Sequence, residues 1–538
     1  MLFYFHLEDF CMKKSILVLL TILLVVPNML LAATPTIEDL QKQISDIAKE
    51  LDELSNRVDK PERHAALDRI NFYGDLRNTV DSVHYKNLVY SPGIKMNYPG
   101  AGIINVPMSA GPKESDLNND VLYTTRLRLG MKAKIAENMN FSGRLTMYKN
   151  WGDSTTTKVF DSWNAFTMDG TDSGSTSGDW LRVERAFFDW KDIGGSNFYL
   201  SIGRRPSTYG PPTNFRENEL RGGTPSGHLV NFNFDGVTIG YHLSELTGVE
   251  GQTVRFCYGQ GFESELGNGS LFNDDITANL EDTHLGGFNI DVFNDGQTFV
   301  QATLFRAQNV VDGFKGTFAF PTQMMAQFAP TIYGDGQNFK NMNFEVRYTP
   351  TTVIGDINLA ALGFSREEDN GFVWFGSLAW TQLNPNGKAG MFGGMGTSAV
   401  YTFDGDGNID SITAEDDKTQ NGYGVYVGIQ VPAPMGKFGL EYNYGSKYWT
   451  PFTQAQDDVV GSKLATRGHA GEAYYIFDIN SNAFLRIGAI YYDYQYSGSG
   501  SPVGKPEKVS DIQDGKAYSL LPVADTAWDA YAKLTMKF

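Results

Sequence analysis

From Ile70 to Phe538, apolar and polar residues trade places with a period of two, segment after segment. Ile70, Phe72, Gly74 and Leu76 alternate with Asn71, Tyr73, Asp75 and Arg77. Leu127, Leu129, Met131, Ala133 and Ile135 alternate with Arg126, Arg128, Gly130, Lys132 and Lys134, and Phe141, Gly143, Leu145 and Met147 with Ser142, Arg144, Thr146 and Tyr148. The pattern returns at Phe198–Ile202, Val254–Tyr258 and Met342–Tyr348. Successive side chains of a strand point to opposite faces, so each segment is predicted to be a strand with one apolar and one polar face. Such strands build either a soluble sandwich or a membrane-spanning barrel, and the latter escapes a hydropathy scan because its strands alternate. Composition removes other classes. With 62 acidic against 44 basic residues and a net charge of −18, the chain would repel nucleic acid. Aromatics at 13% argue against disorder, and two cysteines exclude a disulfide scaffold. No second long apolar run follows the N-terminus, which excludes a polytopic helical membrane protein.

Three features favour the barrel over the sandwich. Connections alternate in length: Glu137–Asn140, Asn294-Asp295-Gly296, Pro432–Gly436 and Asn480–Asn482 are short. Tyr85–Asp120, Gly152–Asp179, Gly261–Thr283, Asn309–Asn341 and Tyr496–Leu521 are long and polar, as expected for short periplasmic turns and long external loops. Aromatics crowd strand ends at Phe187-Phe188-Asp189-Trp190, Tyr474-Tyr475 and Tyr491-Tyr492-Asp493-Tyr494, where interfacial girdles would place them. In the last strand Trp528, Ala530, Ala532, Leu534, Met536 and Phe538 face one way, and Asp529, Tyr531, Lys533, Thr535 and Lys537 the other. The expected fold is therefore an all-β antiparallel transmembrane β-barrel over residues 67–538. It has about 18 strands, or 16 if one hairpin is dropped between Ile354 and Phe403, where Ile357–Phe364, Val373–Leu383 and Thr397–Phe403 all read as strands. Either size leaves an aqueous lumen rather than a side-chain-filled core.

The N-terminus indicates export. Met12-Lys13-Lys14, the apolar Ile16–Val26 and Leu30-Leu31-Ala32-Ala33 form a secretory signal peptide over residues 1–33, with Met12 as an alternative start. Ile37, Leu40, Ile44, Ile47, Leu51, Leu54 and Val58 follow at spacings of 3 and 4. This a/d seam predicts a short periplasmic coiled-coil helix over residues 34–62, which Pro61 stops. A seam this narrow needs a partner helix. Homo-oligomerisation is the favoured reading, with dimer and trimer both open; folding back on its own domain is the alternative.

The last strand, ending on Phe538, resembles the assembly signal of Gram-negative outer-membrane barrels, which implies the barrel-assembly machinery as a partner. Leu181–Phe187 followed by Leu200–Arg205, and then Phe234–Val237, is similar to the region around the third loop of porins. Nearly the whole mature chain resembles a family of porin-like envelope proteins known mainly as a domain of unknown function, with a short N-terminal coiled coil before the barrel. The segments that carry this are Leu67–Phe72, Gly445-Ser446-Lys447-Tyr448-Trp449 and Gly461-Ser462-Lys463-Leu464-Ala465-Thr466-Arg467. The resemblance implies a Gram-negative outer-membrane location, in contact with lipid and lipopolysaccharide, and little about substrate.

Arg77, Arg126, Arg128, Lys132, Lys134, Arg144 and Arg205 lie on polar strand faces, most of them on the first three strands, and are expected to form one basic wall of the lumen. The third long connection, Pro206–Gly227, carries Arg216, Glu217 and Glu219. The porin resemblance implies that it folds inward and narrows the pore. Glu217 and Glu219 opposite the arginines would then set a transverse field across the constriction. The alternative is that these charges simply pair with each other inside a filled lumen.

Asp404, Asp406, Asn408, Asp410 and Glu415 approach the spacing of a calcium loop, but Ile409 stands where glycine is required, and an acidic external loop is the preferred reading. No metal or other cofactor is expected. The histidines form no H-E-x-x-H and the cysteines no haem or zinc pattern, so no enzyme is expected. The leading functional reading is a passive diffusion channel for small hydrophilic solutes. The alternative is a structural or partner-binding barrel, plugged or sheathing another envelope protein; a hydrolase at the barrel rim is a distant third.

Overall fold

The computed structural model describes residues 49, 70–152, 159–160, 181–263, 280–313, 316–320, 344–348, 350–453, 457–519 and 521–538. The signal peptide and the coiled-coil seam from Ile37 to Val58 lie outside the described residues. The chain divides into two units, Met1–Arg69 and Ile70–Phe538. The second is a closed antiparallel barrel of sixteen strands.

In chain order the barrel strands are β1 (Ile70–Tyr90), β2 (Lys113–Ala136), β3 (Met139–Asn150), β4 (Arg182–Trp190), β5 (Phe198–Arg205), β6 (Phe234–His242), β7 (Thr253–Phe262) and β8 (Thr283–Asn294). They continue as β9 (Thr298–Val311), β10 (Val353–Glu367), β11 (Val373–Pro385), β12 (Gln420–Ala433), β13 (Gly436–Gly445), β14 (Gly468–Asn480), β15 (Ala483–Tyr494) and β16 (Thr526–Lys537). Each pairs with its sequence neighbours, and β16 closes on β1. At the seam Leu76 faces Met536. Gly74 and Phe538 exchange two backbone hydrogen bonds of 2.9 and 3.0 Å. Short turns gather at the end that holds the start of β1 and the end of β16, and long connections gather at the other. The turn between β8 and β9 shows how a short connection is made. The Asp295 carboxylate accepts the amides of Gln297 and Thr298, and Gly296 takes a φ of 89°.

Alternation sorts the side chains as expected. In β1, Asp75, Arg77, Thr79 and Asp81 are buried, whereas Phe72 and Val80 on the opposite face are exposed. Ile239, Phe256, Phe288, Leu304, Leu362, Leu378, Leu440 and Ile487 continue the exposed apolar set around the outside. A closed sheet with apolar side chains outward and polar ones inward leaves no unpaired strand edge.

Of the two expected counts, about 18 and 16, the structure has sixteen, because two alternating segments do not enter the wall. Phe344–Tyr348 pairs with Gly316–Phe320, which also meets Val159–Phe160, in a separate three-stranded sheet. Ala399–Phe403 joins Ile409–Ala414 and the hairpin Gly93–Tyr98/Gly102–Pro107 in a four-stranded sheet. Both sheets are built from long connections, so their alternation reflects pairing among loops. The aromatic girdles also need correction. Tyr474, Tyr492 and Tyr494 are buried inside, whereas Tyr491 remains exposed. Tyr474 and Tyr492 turn inward to reach partners, the Tyr474 hydroxyl donating to Glu441 (2.9 Å) and that of Tyr492 to the Gly461 carbonyl (3.1 Å).

Candidate functional site

A sixteen-strand barrel is too wide for its inward side chains to fill, so loops decide what the lumen holds. Among the described residues, two long connections enter it. The first runs from β5 to β6 (residues 206–233) and the second from β13 to β14 (residues 446–467). They meet in a short parallel ladder: the Asn231 amide donates to the Phe452 carbonyl (2.5 Å), and the Phe452 amide to the Leu229 carbonyl (2.9 Å). Gly227 sits where a Cβ would collide with Thr213 Oγ1 at 2.3 Å, which lets the first loop fold tightly on itself.

The first loop reaches across the lumen. The Gln430 amide on β12 donates to the Phe215 carbonyl (2.9 Å), and the Phe215 ring stacks on Phe375 of β11, with centroids 5.0 Å apart. The Arg216 Nε donates to Glu472 of β14 at 2.8 Å, and its Nη2 lies 2.5 Å from Asp458 of the second loop. Glu217 stands 3.2 Å from Arg486 of β15 and 3.5 Å from Arg77 of β1. Glu219 lies 3.7 Å from Arg128 and 4.0 Å from Arg126.

The second loop completes the network. Asp457 accepts from Arg77 and from the Tyr148 hydroxyl, and lies 3.5 Å from Arg126. Arg126 also donates to Asp75 at 2.9 Å. Lys463 donates to Glu441 and Glu472. On the adjoining wall Glu184 of β4 accepts from Arg144 and has Arg128 and Arg185 at 3.7 and 3.6 Å. Burial disfavours the charged forms of Glu217 and Asp457, yet the surrounding cations prevail. Arg486, Arg216 and Arg77 hold Glu217 well below the usual carboxylate range, and Arg77, Lys533 and Arg126 do the same for Asp457.

The structure thus brings Arg77, Arg126, Arg128, Arg216, Glu217 and Glu219 together, and Arg144 joins through Glu184. It does not bring Arg205, whose guanidinium donates to Ser201 (2.7 Å) and Thr238 beside the Phe187 ring. Lys132 and Lys134 are exposed near the short-turn end, away from the loop contacts. The expected transverse field across an open gap is replaced by direct pairing. Acids from the loops contact the basic wall, so the charges neutralise one another locally. Among Arg77, Arg126, Glu217, Glu219, Arg486 and Lys533 no space for a water molecule remains.

The partners that sequence reasoning missed are Asp75, Glu184, Glu441, Asp457, Asp458, Lys463, Glu472 and Arg486. Those on strands occupy inward positions of the alternation, which is a usable signal. Asp457, Asp458 and Lys463 carried none, because nothing local marks a loop as inward-folding. Beyond the ion pairs the lining turns apolar. Leu229, Val230, Phe232 and Phe452 of the two loops pack against Leu285, Phe305, Ile357, Leu359 and Leu383 of β8–β11.

The calcium-like segment does not assemble a ligand set. Asp404 accepts the amides of Asp406 (2.9 Å) and Asn408 (2.8 Å), closing the turn on itself, while Glu415 is engaged by Lys95 at 2.6 Å and Lys505 at 3.6 Å. Phe538 ends the seam strand, and its ring lies where a Cβ on Gly74 would come within 2.7 Å.

Among solved structures the chain is similar to OmpF of Salmonella typhi in complex with daunomycin. The identity is 12% over 87% of this chain and 97% of that one, with a TM-score of 0.40. It is also similar to OprB of Pseudomonas putida at high pH (12% identity, 89% and 96% coverage, TM-score 0.39). A third is the outer-membrane-expressed OmpT of Vibrio cholerae (10% identity, 87% and 97% coverage, TM-score 0.37). No curated protein matches the sequence. Residues 116–538, more than half of the chain, match a family described as protein of unknown function (DUF3373), and the chain belongs to that family.

Proposed function

We propose that this chain is an outer-membrane channel of the porin type for small hydrophilic solutes, in which two loops, latched by ion pairs, close the lumen in the conformation described. The observation that carries the reading is the set of contacts at Glu217 and Asp457. Both are acids on inward-folded loops, and both meet arginines of the barrel wall. Only closed barrels and helices satisfy every backbone group in lipid, and this barrel has the apolar exterior and the unequal connection lengths of an outer-membrane protein. A lumen lined by charged side chains suits solutes that exchange hydration for polar contacts. The heptad from Ile37 to Val58 would join copies in the periplasm.

A second reading has its own support. The absence of space for water among Arg77, Arg126 and Glu217 also suits a permanently plugged, structural or partner-binding barrel. Single-channel conductance in a planar bilayer under a salt gradient separates the two. The channel reading expects narrow, flickering steps in the native protein and larger, longer openings in Glu217→Gln/Asp457→Asn. A barrel that stays folded and silent in both proteins overturns it in favour of the plug.

A further inference from the structure

Outside the lumen ion pairs, at the long-connection end, a polar cavity of about 280 Å³ lies between four segments. They are the Gly93–Pro107 hairpin, residues 391–401, Arg467 at the end of the β13–β14 connection, and the connection from β15 to β16. The volume is near the lower end of the roughly 300–1,000 Å³ typical of small-molecule sites.

The lining reverses the charge of the molecule. The chain carries −18 overall. Yet Lys95, Arg467, Lys505 and Lys516 line this cavity with a single carboxylate among them, Glu507. Two more acids stand just behind. Glu415 pairs with Lys95 (2.6 Å) and lies 3.6 Å from Lys505, and Asp514 takes Lys516 at 2.7 Å. A positive excess remains after these pairings.

Its source is Arg467, which is fully buried and ends the Gly461–Arg467 segment; Lys463 of that segment joins the lumen network, whereas Arg467 does not. Among the described residues its guanidinium donates only to neutral acceptors: the carbonyls of Trp449 (3.0 Å), Ser497 (3.1 Å) and Ser501 (2.7 Å), and the Thr450 hydroxyl (3.0 Å). Every other arginine of the buried network has a carboxylate partner except Arg205. Burial pushes the Arg467 group down to about 9, as expected for a cation without an anion beside it. Gly498, on the cavity wall, stands beside the guanidinium: a Cβ there would lie 3.2 Å from Arg467 Nη1, and the residue takes a φ of 68°.

The walls are held by backbone hydrogen bonds, so the cavity is formed in advance. The Ser519 amide donates to the Ser91 carbonyl (2.9 Å), Gly504 to Gly394 (2.9 Å) and Ser497 to Glu507 (2.9 Å). Part of the lining is apolar or aromatic: Met391, Phe392, Tyr401, Val503 and Tyr518. Tyr518 is seated on Gly93, where a Cβ would lie 2.4 Å from its ring.

We propose that this cavity is a binding site for a small organic oxyanion, a carboxylate or phosphate monoester with an apolar body. The anionic group would be met by Lys95 and Lys505 over the buried charge of Arg467, and the body would lie against Tyr401 and Tyr518. A charged hydrogen bond to an oxyanion gains strength from the low-dielectric surroundings and from the absence of a competing acid at Arg467. The site does not require the barrel to conduct.

The test is equilibrium titration of the full-length, detergent-folded protein by calorimetry, with benzoate, phenyl phosphate, inorganic phosphate and, as the neutral match, benzamide. Benzoate or phenyl phosphate should bind at least about tenfold more tightly than benzamide, and one of them more tightly than inorganic phosphate. Lys505→Gln and Lys95→Gln, both half-buried on long connections outside the barrel wall, should each weaken that binding about tenfold while the thermal transition of the barrel stays put. Benzoate outranking phenyl phosphate assigns a carboxylate ligand, and the reverse order a phosphate ester. Equal affinity for benzoate and benzamide overturns the proposal, as does binding unchanged in both lysine variants or no heat with any probe. Inorganic phosphate binding as tightly as the organic anions would overturn the apolar half of the site.

Discussion

The same inward loop is held in two different ways at its two ends. Its tip, from Phe215 to Glu219, is tied by charge to β1, β2, β14 and β15. Its return, from His228 to Phe232, is buried among apolar residues of β8–β11 and against Phe452 and Trp449 of the second loop. Apolar burial is non-directional and tolerates small shifts, whereas a buried ion pair holds only while both partners are present and satisfied. The return therefore anchors the loop, and the tip is the part whose position depends on chemistry that a solute, a proton or a substitution can alter.

The largest effect should come from the charged end. Glu217→Gln with Asp457→Asn leaves Arg77 without either carboxylate and Arg126 without one. Removing one partner of a buried pair costs about 3–5 kcal/mol at each site. Amide hydrogen exchange over residues 214–219 should rise sharply while the strands keep their protection. Equal protection in the double variant would show that the ion pairs do not hold the tip.

At the apolar end, Phe452→Ala should cost about 3–5 kcal/mol, because it empties space that Leu229, Val230 and Phe232 cannot refill. Here the thermal transition should fall and exchange should rise in both loops together. An effect confined to the second loop would break the picture of a shared anchor.

Acid should separate the two ends by pH. His228 is buried without charge and is pushed down from 6.5 to about 3. The released loop therefore takes up a proton first. Stability is full above about pH 6.5 and falls as pH drops toward 3, by about 1.4 kcal/mol per unit. Glu217 and Asp457 are held below their ordinary values of 4.5 and 3.8, so their contribution is full above those values and is lost only at lower pH. His228→Phe should flatten the upper part of the profile and leave the lower part, as read by thermal midpoint against pH. The smallest effect should be that of salt. Pairs this buried are poorly screened, so raising NaCl from 0.05 to 1 M should move the midpoint by less than about 1 kcal/mol equivalent.

Alternation made the barrel legible, because a period of two survives wherever one face meets polar contents and the other does not. The strand number was less legible. Phe344–Tyr348 and Ala399–Phe403 carry the same pattern as wall strands, and only long-range pairing shows that they belong to sheets made by loops. Half of the charge network could be read in advance: Arg77, Arg126 and Arg128 from inward strand positions, and Glu217 and Glu219 from their place after the fifth wall strand. The rest is shared between inward acids and Arg486 on the wall strands and the second loop, whose segments Gly445–Trp449 and Gly461–Arg467 stood out as motifs without saying where they would go. Tyr474 and Tyr492 were misread for the same reason, since their partners are brought by segments distant in the chain.

The ladder between Leu229, Asn231 and Phe452 has a mechanical consequence. Two separate flaps could swing apart one at a time. Two flaps stitched along their backbones share one hinge motion. Release of the charged tip leaves the stitch intact; any motion that displaces the returns must shift a single composite leaf, with its hinges at both pairs of strand ends, or tear the stitch. Cross-linking either loop to the wall would lock both.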